Sequence, residues 1–136
     1  MARLVYIDTS AWVAVSDTNE ARHTQAVDHY IQLLKANTRL ITTCLVVAET
    51  QILLRRRLGR DAAMTFLKSV NESPRTRIVY PEAQTERQAK HVLDQYADQD
   101  FSLTDAISFV MMREMEIIEA FTYDKHFTVM GFTSVI

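Results

Sequence analysis

The sequence predicts an α/β fold, a parallel sheet covered by helices, and three observations predict it. Short continuous apolar runs such as Leu4–Ile7 suit strands buried on both faces, the condition of parallel strands under helical layers. These runs alternate with stretches of helical periodicity, as βαβ units do, because parallel neighbours need crossover connections. With only two glycines and two prolines in 136 residues, no stretch resembles a linker, and residues 1–136 read as a single domain.

Each element follows in order. Leu4–Ile7 is the first strand; Asp8-Thr9-Ser10 ends it with residues that favour caps and turns, and Ala11–Val15 form a short helix. A second helix follows Asn19-Glu20, with Val27, Tyr30, Ile31 and Leu34 on one face at i, i+3, i+4 and i+7. Arg39–Thr43 is the second strand. The helix over 45–58 ends at Arg55-Arg56-Arg57, with Gly59 as its C-terminal stop. Ala63, Phe66, Leu67 and Val70 repeat the amphipathic spacing in a helix that Ser73-Pro74 ends. Arg77–Tyr80 is a third strand, closed by Pro81. Ala89, Val92, Leu93 and Tyr96 mark a helix over 82–97, and the next, over 102–116, is apolar nearly all round and expected at the centre. Ala120–Tyr123 is the fourth strand, and Phe132–Ile136 a candidate fifth. In such sheets ligands bind at the carboxyl ends of the strands.

Composition narrows the function classes. A chain that is 48% hydrophobic and 24% charged is neither disordered nor membrane-spanning, since no apolar run is long enough to cross a bilayer. No signal-peptide pattern opens it, and the single Cys44 makes neither a disulfide nor a thiolate metal site; the expected address is the cytoplasm, with Cys44 a small buried hydrophobe. A net charge of −2 is not that of a domain coating nucleic acid by general electrostatics. Any such substrate must meet a local basic patch or cations held by acids.

Four acids are placed at that sheet edge. Asp8 follows the first strand, Asp124 the fourth, Glu49 lies early in the helix after the second, and Asp105 in the first turn of the helix opened by Ser102. Each has a structural reading beside the chemical one: Asp8 as an N-cap, Asp105 as the partner of Ser102 in a capping box, and Asp124 as a turn residue or cap. Glu49 sits among Leu45, Val46 and Leu53 with no cation at i+4. Clustered carboxylates repel one another, which raises their pKa values unless a cation is bound. An all-oxygen set suits Mg²⁺ or Mn²⁺ rather than zinc, and His23, His29, His91 and His126 show no zinc-enzyme spacing.

Val5–Ser10, Ala48-Glu49, Asp100–Ala106 and Thr122–Phe127 occur in the order found in PIN-domain proteins, and the chain resembles a VapC-type PIN ribonuclease over essentially its whole length. The resemblance implies a three-layer α/β/α sandwich around a parallel sheet of four to five strands. It implies a Mg²⁺- or Mn²⁺-dependent endoribonuclease with Asp8, Glu49, Asp105 and Asp124 as catalytic metal ligands, cutting RNA by in-line hydrolysis to a 5′-phosphate and a 3′-hydroxyl. It further implies a homodimer, and toxin action restrained by an antitoxin protein.

Around the acids, Thr9, Ser10 and Thr104 are expected to orient ligands or water, or simply to cap. For RNA, the run Arg55-Arg56-Arg57 with Arg60, Lys125 and His126 supplies the candidate contacts, Arg56 at i+7 from Glu49 facing roughly the same way. Trp12 is read as a core or dimer-face aromatic rather than a base-stacking one. A haloacid-dehalogenase-type phosphatase would want an Asp where Ser10 stands, and a receiver domain would want paired early acids. A stand-alone PIN ribonuclease without antitoxin, and a catalytically silent RNA- or metal-binding module, remain as alternatives.

Overall fold

In the computed structural model, which describes residues 2–136, the apolar runs become one five-stranded parallel sheet. Its strands are Leu4–Ile7 (β1), Arg39–Thr43 (β2), Thr76–Val79 (β3), Glu119–Phe121 (β4) and Thr133–Ser134 (β5), in the spatial order β3-β2-β1-β4-β5. In register, Val5 faces Leu40 on one side of β1 and Tyr6 faces Ala120 on the other. Seven helices connect these strands: Thr9–Ser16 (α1), His23–Lys35 (α2), Cys44–Leu58 (α3), Arg60–Glu72 (α4), Ala83–Gln95 (α5), Leu103–Glu114 (α6) and His126–Val129 (α7).

The chain grows the sheet from β1 to β3 in one direction, then returns past β1 to add β4 and β5 in the other. Right-handed crossovers therefore put α1–α4 on one face and α5–α7 on the opposite one. Contacts follow that division: α1 packs on α2 and α3, α3 on α4, and α5 on α6. The result is the expected three-layer sandwich, with its switch point between the carboxyl ends of β1 and β4.

β1 is buried from Val5 to Ile7, which explains its uninterrupted apolar run. Tyr6 turns its hydroxyl to Ser108 on α6 (2.6 Å) and more distantly to Thr43 (3.5 Å), so the one polar atom in this strand's core is satisfied. As expected of a central helix, every residue of α6 from Ala106 to Met112 is buried. Phe109 stands in an aromatic cluster, 5.1 Å from the Phe101 ring, 5.0 Å from Phe127 and 5.9 Å from Phe132. Phe101 also meets the His126 ring edge-on at 5.0 Å, so core packing reaches directly to the sheet edge where the acids lie.

Some expectations shift by a residue or a face. The helix expected after Glu20 begins at His23, and its buried centre is Ala26 and Leu33. Val27, Tyr30 and Leu34 are half-buried and Ile31 is exposed, with Tyr30 and Leu34 still packed against the core. The fifth strand keeps only two residues. Trp12 is buried against Tyr30 (5.8 Å) and Phe66 (5.7 Å), which assigns it to the core and not to base stacking. Cys44 is half-buried rather than buried, at the first residue of α3. Gly59 separates α3 from α4 with φ +96°, a conformation that glycine adopts without the strain a Cβ brings. Among the described residues no helix is long and apolar enough to cross a membrane.

Phe109→Ala is expected to destabilise the fold by about 3–5 kcal/mol, the usual loss for deleting a buried phenylalanine ring. Chemical denaturation of the variant beside the parent checks this.

Candidate functional site

The carboxyl ends of β1 and β4 meet through a backbone bond, the Asp8 amide donating to Phe121 O at 3.2 Å. Asp8 caps α1, and its carboxylate is buried. All of its side-chain hydrogen bonds fall on Oδ2: Ser10 Oγ donates at 2.9 Å, Thr122 Oγ1 at 3.0 Å and the Ser10 amide at 3.4 Å. The carboxylate is thus oriented by one oxygen while Oδ1 takes no part in that set.

The same two hydroxyls carry the order across to β4's exit. Ser10 Oγ accepts from the Tyr123 amide at 2.9 Å, and Thr122 Oγ1 accepts from the Asp124 amide at 2.9 Å. Asp124 Oδ1 in turn accepts from the His126 amide at 2.9 Å, which starts the single turn of α7. Asp105 completes the capping box of α6: its Oδ2 accepts from the Ser102 amide at 3.1 Å, and its own amide donates to Ser102 Oγ at 3.0 Å. Each of these acids therefore holds a turn or a helix start in place.

Asp8, Glu49, Asp105 and Asp124 line one cleft of about 280 Å³. Two of these acids, Asp105 and Asp124, form a tight group with the neighbouring His126, the three offering ligand atoms all within 4.8 Å of one another. His126 Nδ1 lies 3.3 Å from Asp124 Oδ1 and 3.4 Å from Asp105 Oδ2, yet without hydrogen-bond geometry to either, so this buried nitrogen has no partner among the described residues. Asp8 and Glu49 share the cleft without joining that inner trio. The carboxylate oxygens of this set fit a hard divalent cation; the unpartnered ring nitrogen beside them is a borderline donor that does not itself favour one.

Electrostatics tell the same story. Burial pushes the Asp8 carboxyl up to about 6, against the pull of the Ser10 and Thr122 hydroxyls, with the charge of Asp105 adding to the rise. Burial likewise raises Asp105, as does the neighbouring Asp124 charge, while the Ser102 amide and His126 pull it down. The cleft is organised to hold negative charge that it does not itself neutralise.

The remaining expected residues fall differently. Thr9 is buried beneath the cleft with its hydroxyl unpartnered among the described residues. Ser10 makes the contacts above, and Thr104 presents its carbonyl to Ser108 Oγ (2.9 Å). Arg55 and Arg56 are exposed and do not line the cleft. The arginine that does is Arg57, drawn round by Glu20 (3.1 Å) and Asp17 (3.6 Å) from the α1–α2 connection. Arg22, which the sequence reading did not name, lines the cleft with its guanidinium 4.8 Å from the centre of the Tyr123 ring. Lys125 lines an adjoining cleft. Thr122, central to the Asp8 network, opens the Thr122–Phe127 segment, where nothing in the sequence singles it out.

Asp8 keeps its proton in the folded chain up to about pH 6 and in the unfolded chain only below about pH 4. The metal-free fold therefore loses stability as pH rises through that window, and the full loss, about 3 kcal/mol, is present above it. Asp8→Asn in EDTA is expected to match the parent near pH 4 and to become more stable than it above pH 7, which a pH series of denaturation curves checks.

Comparison with known proteins bears on the whole chain. The sequence profile of the PIN domain family matches residues 5–132. The chain is 31% identical over 132 residues to a protein named 23S rRNA-specific endonuclease VapC20 from Mycobacterium tuberculosis, in strain CDC 1551 / Oshkosh and in strain ATCC 25618 / H37Rv. Those alignments cover 97% of this chain and 98% of the relative. A crystal structure of M. tuberculosis VapC20, described as a sarcin–ricin loop cleaving toxin, superposes with a TM-score of 0.85 at 31% identity, over 95% of this chain and 96% of that one. Profile, full-length relative and fold agree, and this chain belongs to the PIN-domain family.

Proposed function

We propose that this chain is a VapC-type endoribonuclease, the toxin of a toxin–antitoxin pair, acting as a single PIN-like domain on RNA with Mg²⁺ or Mn²⁺. The observation that carries this reading is the grouping of Asp105, Asp124 and His126 ligand atoms within 4.8 Å beside the buried Asp8, at the switch point of a PIN-type sheet. Asp8, Glu49, Asp105 and Asp124 would hold the cation, directly or through water, with Glu49 reaching the cleft from α3. When bound, the divalent ion offsets charge developing on the phosphorus oxygens and acidifies an attacking water.

The protein's own part is orientation. Ser10 and Thr122 fix the Asp8 carboxylate, Thr122 positions Asp124 through its amide, and the Ser102 box fixes Asp105. Holding these groups before substrate arrives removes reorganisation from the reaction itself. Its partners on this reading are RNA, a cognate antitoxin and a second copy of the chain, in the cytoplasm. The M. tuberculosis relative is named for 23S rRNA, so ribosomal RNA is the first substrate to assay. A stand-alone ribonuclease shares the same site, and a small open reading frame immediately upstream distinguishes the toxin.

RNA cleavage is expected to require Mg²⁺ or Mn²⁺ and to stop in EDTA. Asp8→Asn, Asp105→Asn and Asp124→Asn are each expected to abolish it with the fold intact by circular dichroism; parental activity in Asp8→Asn overturns the assignment. Ser10→Ala, which loosens Asp8 without removing a ligand, is expected to lower activity by about 10–100-fold, read from initial rates on the same RNA.

A further inference from the structure

The acid cleft is not the end of the concavity. A second cleft of about 320 Å³ adjoins it and shares Arg22, Tyr123 and Asp124 with it. Arg57 lines only the first cleft and Lys125 only the second, while Arg22 stands at the junction. Read along the concavity, three cations therefore succeed one another on a path that passes the four acids.

We propose that Arg57, Arg22 and Lys125 form a phosphate-binding track that leads one unpaired RNA strand across the acids. This inference rests on the ribonuclease reading and adds the residues that bring a polyanion to an acidic centre. The chain has a net charge of −2, so long-range attraction does not deliver RNA; local cations must. Two of the three are already held in place. Arg57 uses Nη1 for both Glu20 and Asp17, which leaves Nε and Nη2 of its five-donor fork for a phosphate. Arg22 is steadied over the Tyr123 ring, whose hydroxyl donates to Gln25 at 3.1 Å. A guanidinium stacked on an aromatic keeps its in-plane donors free. Tyr123 at the junction also favours an unpaired strand, whose bases can reach an aromatic surface.

A purely structural role makes the opposite prediction for one variant. If Arg57 only ties the end of α3 to the α1–α2 connection, Glu20→Gln and Arg57→Ala break the same tie and act alike. If Arg57 grips phosphate, Arg57→Ala weakens RNA binding whereas Glu20→Gln, which frees the guanidinium, leaves it unchanged or tightens it.

The test measures binding of a short unpaired RNA oligonucleotide to the parent chain and its variants by fluorescence anisotropy across a salt series, with Ca²⁺ as the hard cation for the acids and a gel showing that the RNA stays intact. Arg57→Ala, Arg22→Ala and Lys125→Ala are each expected to weaken binding by about tenfold, and to reduce the slope of log affinity against log salt by about 0.7. Unchanged slopes, or Glu20→Gln weakening binding as Arg57→Ala does, overturn the track. Cleavage by the parent chain is assayed in parallel. Parental cleavage with unchanged slopes in the variants sinks the track alone; no cleavage, with the slopes reduced as expected, sinks the ribonuclease reading alone; neither binding nor cleavage sinks both.

Discussion

Everything at the sheet edge depends on one buried carboxylate. Asp8 is only 4% exposed, and burying an ionised group is unfavourable unless its environment stabilises the charge. Here two hydroxyls and an amide do so from one side, all on Oδ2. They do not fully compensate, since the group still titrates near 6. A fold that retains such a residue at the end of its most buried strand carries an internal stress that a bound cation would relieve. That stress is the physical link between the parallel sheet and the chemistry.

The hydroxyls that hold Asp8 also fix what lies across the switch point. Ser10 and Thr122 each donate to Asp8 and accept from the backbone leaving β4, at Tyr123 and Asp124. Strand pairing, carboxylate orientation and the turn into α7 are therefore one connected structure. Such networks couple their members more strongly than pairwise bonds suggest. Disturbance at Ser10 should reach Asp124 without touching it.

Much of this was legible in the sequence, because its signals are local. A continuous apolar run marked β1, its alternation with helical periodicity marked three further strands, and the Ser102–Asp105 spacing marked the capping box that the structure contains. Reading each acid as either a cap or a ligand candidate set up a choice the fold does not make: Asp8 caps α1, Asp105 belongs to a box, and both line the cleft. Capping directs a carboxylate toward the start of a helix, and helices after parallel strands start at the ligand-binding edge, so the two roles coincide. What stayed hidden was set by contacts distant in sequence. Helical spacing favoured Arg56 over Arg57, but the Glu20 and Asp17 pairs turn Arg57 inward, and nothing in the α1–α2 connection announces them. The face of α2 slipped likewise, with Ala26 and Leu33 at its buried centre.

The charge arrangement resolves what first looked like an obstacle to a nucleic-acid substrate. A uniformly basic surface binds RNA wherever the backbone touches it, with affinity that falls steeply as salt rises. This chain instead keeps its net charge near neutral and concentrates opposite signs along one concavity, acids at the centre and Arg57, Arg22 and Lys125 beside them. Without a cation the centre repels phosphate; a bound one would turn that repulsion into attraction at that point alone. On the proposed reading, metal occupancy and substrate binding would then favour each other, because each offsets charge that the other must otherwise face. Affinity for RNA would rise with the ion that supplies the chemistry, and the strand would be held most firmly where it can be cut.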